Sequence, residues 1–216
     1  MVKISDFTDG FIPPLPEQKK NCTLSDLKTN FLNQNLLKMK KFIGRFILTI
    51  SRWKADYPTK FMVDKCVMLA VPHTSNWDLM YALAVYWKKG IHAKFLIKDT
   101  YTNGLFGFAF KWLGALGVDR TKHTNLVDYS VNLLNNSDKL VLLIPAEGTR
   151  KWVEKWKTGF YHIALQANVP VALGFLDYKN KIAGVGGIYH LTGDFNVDMA
   201  IIQTFYLSKT INYTKK

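Results

Sequence analysis

Leu140-Val141-Leu142-Leu143-Ile144 constrains the fold of this chain more than any other stretch. Five consecutive apolar residues, ended by Pro145, read as a buried strand. Cys66-Val67-Met68-Leu69-Ala70-Val71 has the same character. Further strands are expected at Ala93 to Ile97, at Val118, at Val169 to Phe175 and at Lys181 to Tyr189, the last loosened by three glycines. Between them the pattern predicts helices. One is capped by Ser75 or Asn76 and runs toward Lys88, where Gly90 closes it. Others are expected over Gly104 to Leu116, Asn125 to Leu134, Gly159 to Ala167 and Asp198 to Leu207. Strands alternating with helices predict an α/β domain with a mixed, largely parallel sheet flanked by helices. That domain is assigned to residues 57–216. Residues 1–56 precede it as a polar, proline-bearing arm to about residue 30, then a basic amphipathic helical segment from near Leu36 to Trp53.

The charge limits what such a domain meets. Twenty-nine Lys and Arg against 16 Asp and Glu leave a formal net charge of +13. That excess favours a polyanion: nucleic acid, an anionic membrane surface or a phosphorylated substrate. No nucleic-acid motif is present, and the basic residues are spread along the chain. No run reaches the roughly 20 apolar residues needed to span a bilayer. Phe42 to Ile50 comes nearest, broken by Arg45 and flanked by Lys38, Lys40, Lys41, Arg52 and Lys54. This composition fits a helix lying on a membrane with its lysines at anionic headgroups, or a core-packing helix with a solvated basic face. Met1 to Asp9 is polar and a proline cluster follows, so no secretory leader is read and a cytoplasmic setting is the expectation. Cys22 and Cys66 make no disulfide framework, and Cys66 reads as a small core residue.

In α/β sheets, sites lie beyond the carboxyl ends of strands. Two polar motifs fall there: His73-Thr74-Ser75-Asn76-Trp77-Asp78 after the first strand, and Glu147-Gly148-Thr149-Arg150 after the clearest one. Spacing alone is weak evidence, because His123 and Asp128 are also five residues apart. That second pair enters one helix, where five residues turn about 500° and point the side chains about 140° apart. His73 precedes its helix, so the loop can fold the imidazole back toward Asp78. A neutral imidazole is the usual base for a hydroxyl, and a carboxylate on its other nitrogen fixes the tautomer. The plainer alternative is a loop histidine with Asp78 as a first-turn residue favoured by the helix dipole. Ser75 reads as a helix cap, because no glycine elbow surrounds it. Glu147 stands out because Glu is scarce, occurring otherwise as Glu17 and Glu154. It either positions an acceptor or braces its loop. Arg150, and Arg120 after Gly114 to Asp119, carry planar forks suited to a phosphate, or, as a lone arginine more commonly does, each makes a surface ion pair. No third ligand near His73 suggests a metal.

These residues resemble the four blocks of the glycerolipid acyltransferases, which include bacterial 1-acylglycerol-3-phosphate acyltransferases. The blocks are His73-x4-Asp78, Gly114 to Arg120, Glu147 to Arg150 and Val169-Pro170-Val171, in order over residues 61–175. The resemblance implies an acyl-CoA or acyl-carrier-protein donor and a lysophospholipid acceptor, with no bound cofactor and no metal. It implies His73 as general base with Asp78 as its partner, Arg120 and Arg150 on the acceptor's phosphate, and Glu147, Gly148 and Thr149 shaping that site. It also implies peripheral attachment to the inner face of the cell membrane. Ala146, Gly117, Lys151-Trp152 and Ala172-Leu173-Gly174 depart from the family pattern around the acceptor site, so the headgroup stays open. The rival readings are an acyl-thioesterase and a catalytically silent protein that binds anionic lipid. Phe106, Phe108, Phe110 and Trp112 line an acyl tunnel or, at helical spacing, pack in the core.

Overall fold

A computed structural model describes residues 24–57, 63–119, 125–149, 153 and 155–209. Two compact units are delimited, 1–35 and 36–216. In the first, the described residues form the beginning of helix α1 (Leu24–Ser51). The rest of α1 belongs to the second unit. It is followed by β1 (Lys54–Asp56), β2 (Lys65–Val71), α2 (Asn76–Lys89), β3 (Ala93–Lys98), α3 (Asp99–Asn103), α4 (Gly107–Leu113) and β4 (Ala115–Val118). Then come α5 (Leu126–Asn135), β5 (Leu140–Ile144), α6 (Gly159–Gln166), β6 (Val171–Asp177), β7 (Ile182–Tyr189) and α7 (Phe195–Ser208).

Among the described residues the strands form one seven-stranded sheet in the order β1-β7-β6-β2-β5-β3-β4. All neighbours pair in parallel except β6 and β7. The expected mixed, largely parallel sheet is what forms. β2 shows why its apolar run is continuous. Val67, Leu69 and Val71 point to one face and pack with Leu134, Phe160, Ile163 and Ile202 of α5, α6 and α7. Cys66 and Met68 point to the other and pack with Leu48 of α1 and Leu83, Tyr86 and Trp87 of α2. A strand covered on both faces has no polar side. Burying a side chain such as Met68, Leu69 or Leu83, each fully enclosed, stabilises the fold by about 1.5–3 kcal/mol.

Three local differences from the sequence reading have physical causes. Helix α1 begins at Leu24, inside the stretch expected to be irregular. Residues 24–35 hold no Gly or Pro, and extending an existing helix costs little once it is nucleated. The aromatic segment is not one helix over Gly104 to Leu116: α4 takes only Gly107–Leu113, and β4 begins at Ala115. Gly114, at φ 109°, caps α4 in the left-handed region and turns the chain into β4. A Cβ there would lie 2.5 Å from the Ala93 carbonyl oxygen, so glycine is what lets β4 meet β3. Third, β1 is a short edge strand that no sequence pattern announced.

Two contacts fix the second half of α1 against the sheet's helical layer. Gly44 lets α1 approach α2 so closely that a Cβ would sit 2.5 Å from the Ala84 carbonyl oxygen. Lys40 is buried, its Nζ donating to the Trp112 carbonyl at 2.7 Å, at the end of α4. It lies over the Trp87 and Trp112 rings, 5.5 and 5.1 Å from their centres. Burial lowers its pKa. The carbonyl and the two rings offset the cost of enclosing the charge.

Candidate active site

The sheet order decides which loops meet. β2 lies between β5 and β6, parallel to both, with Leu69 beside Ile144 and Val71 beside Phe175. All three strands therefore end at the same edge. His73 lies two residues past β2, Glu147 three past β5 and Tyr178 one past β6. This parallel register carries residues distant in sequence into contact.

Ser75 caps α2, as expected: its hydroxyl accepts the Trp77 N–H at 3.1 Å. Asp78 stands in the first turn and answers it in a capping box, Oδ2 accepting the Ser75 N–H at 2.8 Å. The same oxygen accepts the Thr74 N–H. His73 Nδ1 lies 3.5 Å from Oδ2. The carboxylate thus lies beside the imidazole and also caps the helix. Oδ1 is occupied separately. It accepts from the Ser75 hydroxyl at 3.0 Å, from the Thr74 hydroxyl at 3.4 Å and from the Tyr178 hydroxyl. Burial pushes the Asp78 carboxyl up, but hydrogen bonds from His73, Tyr178, Ser75 and Thr74 outweigh it and bring it down to about 2. Asp78 is therefore an anion across the physiological range. The imidazole is 27% exposed and the carboxylate side chain 5%, so one ring edge faces a buried charge while solvent still reaches the group.

Glu147 is buried, and its Oε2 accepts the His73 backbone N–H at 2.6 Å. This bond joins the two motifs and favours the bracing role left open by the sequence. Its loop is held by Gly148, whose N–H donates to the Pro145 carbonyl at 3.1 Å, and by the Lys157 N–H on the Ala146 carbonyl at 2.8 Å. Gly148 has φ 65°, and a Cβ would come within 2.7 Å of Lys157 Cγ, so the turn needs glycine. Thr149 follows, half-buried. Arg120, Arg150 and His123 lie outside the described residues. Asp128 is exposed on α5, and Cys66 is buried with its thiol pushed up to about 12 by that burial. Tyr178 is the site residue that sequence reasoning missed. No motif marks it, and the available signal was that the strand after Val169-Pro170 ends beside His73.

Apolar surface adjoins this edge. A groove of about 260 Å³ runs between α1 and α2, lined by Phe46, Ile47, Ile50, Trp77, Met80 and Tyr81. Phe106 and Phe108 project into solvent, whereas Phe110 and Trp112 pack against the core. A larger cleft of about 390 Å³ opens by Val63, Lys89, His92 and Lys139, at the amino ends of β2 and β5. His73, Asp78, Glu147, Gly148 and Thr149 lie at the opposite end, beyond the carboxyl ends of those strands. No helix among the described residues is long and apolar enough to cross a membrane.

Residues 55–172 match the model of the family described as Acyltransferase. The chain belongs to that family. Within this acyltransferase-family chain, 86 residues are 33% identical to a 1-acyl-sn-glycerol-3-phosphate acyltransferase of Streptococcus pneumoniae (strain ATCC BAA-255 / R6). The match covers 38% of this chain and 31% of the relative, about a third of the latter's length. The fold is similar to the crystal structure of the 1-acyl-sn-glycerophosphate (LPA) acyltransferase PlsC from Thermotoga maritima, with a TM-score of 0.59. That likeness covers 83% of this acyltransferase-family chain and 81% of the other at 12% identity, so it is a likeness of fold.

Proposed function

We propose that this protein is an O-acyltransferase, moving a fatty acyl group from acyl-CoA or acyl-carrier protein to the hydroxyl of a lysophospholipid such as 1-acylglycerol-3-phosphate. The observation that carries the reading is the His73 imidazole beside the buried, ionised Asp78, in a chain of this family. With Nδ1 turned to Asp78, Nε2 is left for the acceptor. His73 takes the hydroxyl proton as that oxygen attacks the thioester carbonyl. The tetrahedral oxyanion collapses, the carbon–sulfur bond breaks, and the imidazolium returns its proton to the departing thiolate. Asp78 stabilises the imidazolium between those steps. Arg120 and Arg150 hold the acceptor's phosphate in this reading, and Glu147, Gly148 and Thr149 shape that site.

The reaction takes place on a membrane, at the inner face of the cell membrane in this reading. Phe42, Phe46, Ile50, Trp77 and Met80 are exposed, and Lys38, Lys41 and Arg45 are exposed on the same helix as the first three. Apolar rings would enter the acyl boundary while the cations meet anionic headgroups. The groove between α1 and α2 would take a fatty chain beside the turn that bears Asp78. The test is transfer of labelled palmitate from CoA and carrier-protein thioesters to lysophosphatidic acid, glycerol 3-phosphate, other lysophospholipids and N-acyl amino acids. A lipid product that needs both the acceptor and His73 supports the proposal. Acceptor-independent release of free fatty acid would make the protein a thioesterase. A His73→Ala variant with undiminished transfer would remove the mechanism.

A further inference from the structure

We propose that Tyr178 is a positioning residue of the His73–Asp78 pair: its hydroxyl holds Asp78 Oδ1 so that Oδ2 is kept for the imidazole. The role rests on the acyl-transfer reading above. Oδ2 already accepts two backbone N–H groups and faces His73, whereas Oδ1 is turned toward hydroxyls. The Thr74 and Ser75 hydroxyls belong to the same loop as His73 and move with it. Tyr178 comes from the end of a different strand, so it alone of the three hydroxyls ties the carboxylate to the sheet.

The ring that carries this hydroxyl is itself fixed. Trp53 meets Tyr178 edge-on with ring centres 5.1 Å apart, and Tyr81 does so at 6.3 Å. Trp53 and Tyr81 stack on each other at 4.3 Å. Three elements thus converge: the segment after α1, the first turns of α2 and the end of β6. Such a clamp can deliver a hydroxyl to one point with little loss of side-chain freedom on each turnover. The Tyr178 phenol stays protonated as a donor, with burial and then the Asp78 hydrogen bond raising it to about 12.

A donor on Oδ1 also draws negative charge from the carboxylate. Removing it leaves more charge facing the imidazolium, which stabilises the protonated ring. The titratable groups that contact the pair, among the described residues, are Tyr178 itself, Glu147 through the His73 N–H, and Tyr81 through the Tyr178 ring. None of the others is altered by Tyr178→Phe, which keeps the ring and its edge-on contacts.

The experiment compares Tyr178→Phe with the unaltered protein by NMR titration of labelled histidine, the His73 signal being assigned by its loss in His73→Gln. The His73 midpoint should move to higher pH in Tyr178→Phe, with unfolding still one cooperative transition and Tm lower by no more than about 10 °C. In the transfer assay, kcat should fall by about 10- to 150-fold at most, the effect of one charge-assisted hydrogen bond, because the lost anchoring of Asp78 outweighs the stronger pull on the imidazolium, with KM changed by less than about twofold. An unmoved His73 midpoint overturns the proposal whether or not the chain transfers acyl groups. A moved midpoint in a protein that transfers nothing keeps the coupling and removes the acyl-transfer reading instead. A fall in kcat matched by a loss of folded protein, with the midpoint unmoved, makes Tyr178 structural only.

Discussion

Asp78→Asn should lose much less activity than replacement of a carboxylate beside a catalytic histidine usually does, because the fold dictates how the amide lies. Where Asp78 stands, Oδ2 accepts two backbone N–H groups, which cannot turn away. Oδ1 accepts three hydroxyls, which can rotate to receive a proton instead. The amide oxygen of the variant is therefore held at the Oδ2 place, facing His73 Nδ1, and the NH2 group faces the hydroxyls. The imidazole keeps its tautomer, and only the charge is lost. Two unit charges at the observed 3.5 Å interact by about 5 kcal/mol at an effective dielectric near 20. With 27% of the His73 side chain exposed, water screens part of that, leaving about 2–4 kcal/mol for the imidazolium formed in the transition state. The expected loss in kcat/KM is about 30- to 1000-fold, against the roughly 10⁴-fold typical of a reversed tautomer. The acid limb of the pH profile should move to lower pH, since the ring has lost its anionic partner. The assay is acyl transfer at several pH values, beside His73→Ala. Activity within about twofold of the unaltered protein would show that the carboxylate serves the helix cap alone, and inactivity equal to that of His73→Ala would refute the argued amide orientation.

Asp198 is fully buried and accepts from Tyr161 at 3.0 Å, Tyr189 at 2.7 Å, the Thr192 hydroxyl at 2.8 Å and the Thr192 and Gly193 N–H groups. Asp198→Asn can keep its oxygen for the Thr192 and Gly193 N–H groups at the Oδ2 place, but it loses the charge and turns an NH2 toward the Tyr189 and Thr192 hydroxyls; it should cost about 1–3 kcal/mol, read as a lower midpoint in urea. Burial pushes the Asp198 carboxyl up, but these donors outweigh it and hold it at about 2. Its contribution is therefore present above the unfolded value near 4 and lost as pH falls toward 2, so the gap between variant and unaltered protein should narrow over that window. Gly44→Ala places a methyl 2.5 Å from the Ala84 carbonyl oxygen. Because the clash is with backbone, overpacking should lie in the upper part of the usual range, about 2–3 kcal/mol, and subtracting the helix-propensity gain of about 1 leaves about 1–2 kcal/mol, so Tm should drop by about 2–8 °C; an unchanged or higher Tm would contradict the close approach of α1 to α2.

The sequence alone determined the alternation of most strands and helices from β2 onward, the cap of α2 and the closeness of His73 to Asp78, because each rests on residues close together in the chain. Apolar runs, a serine cap and a five-residue spacing are local signals, and local physics reads them. Parallel character was legible too, since only strands covered on both faces carry runs such as Leu140 to Ile144. What the chain could not announce were events between distant segments. The break at Gly114 depends on Ala93 as a close neighbour, and β1 exists only where β7 offers it an edge. Glu147 reached His73, and Tyr178 reached Asp78, because β5 and β6 flank β2 with matching ends. Strand order is set by packing helices on both faces of the sheet. A residue brought to the site by strand order alone, as Tyr178 is, leaves no mark in its own neighbourhood of the sequence.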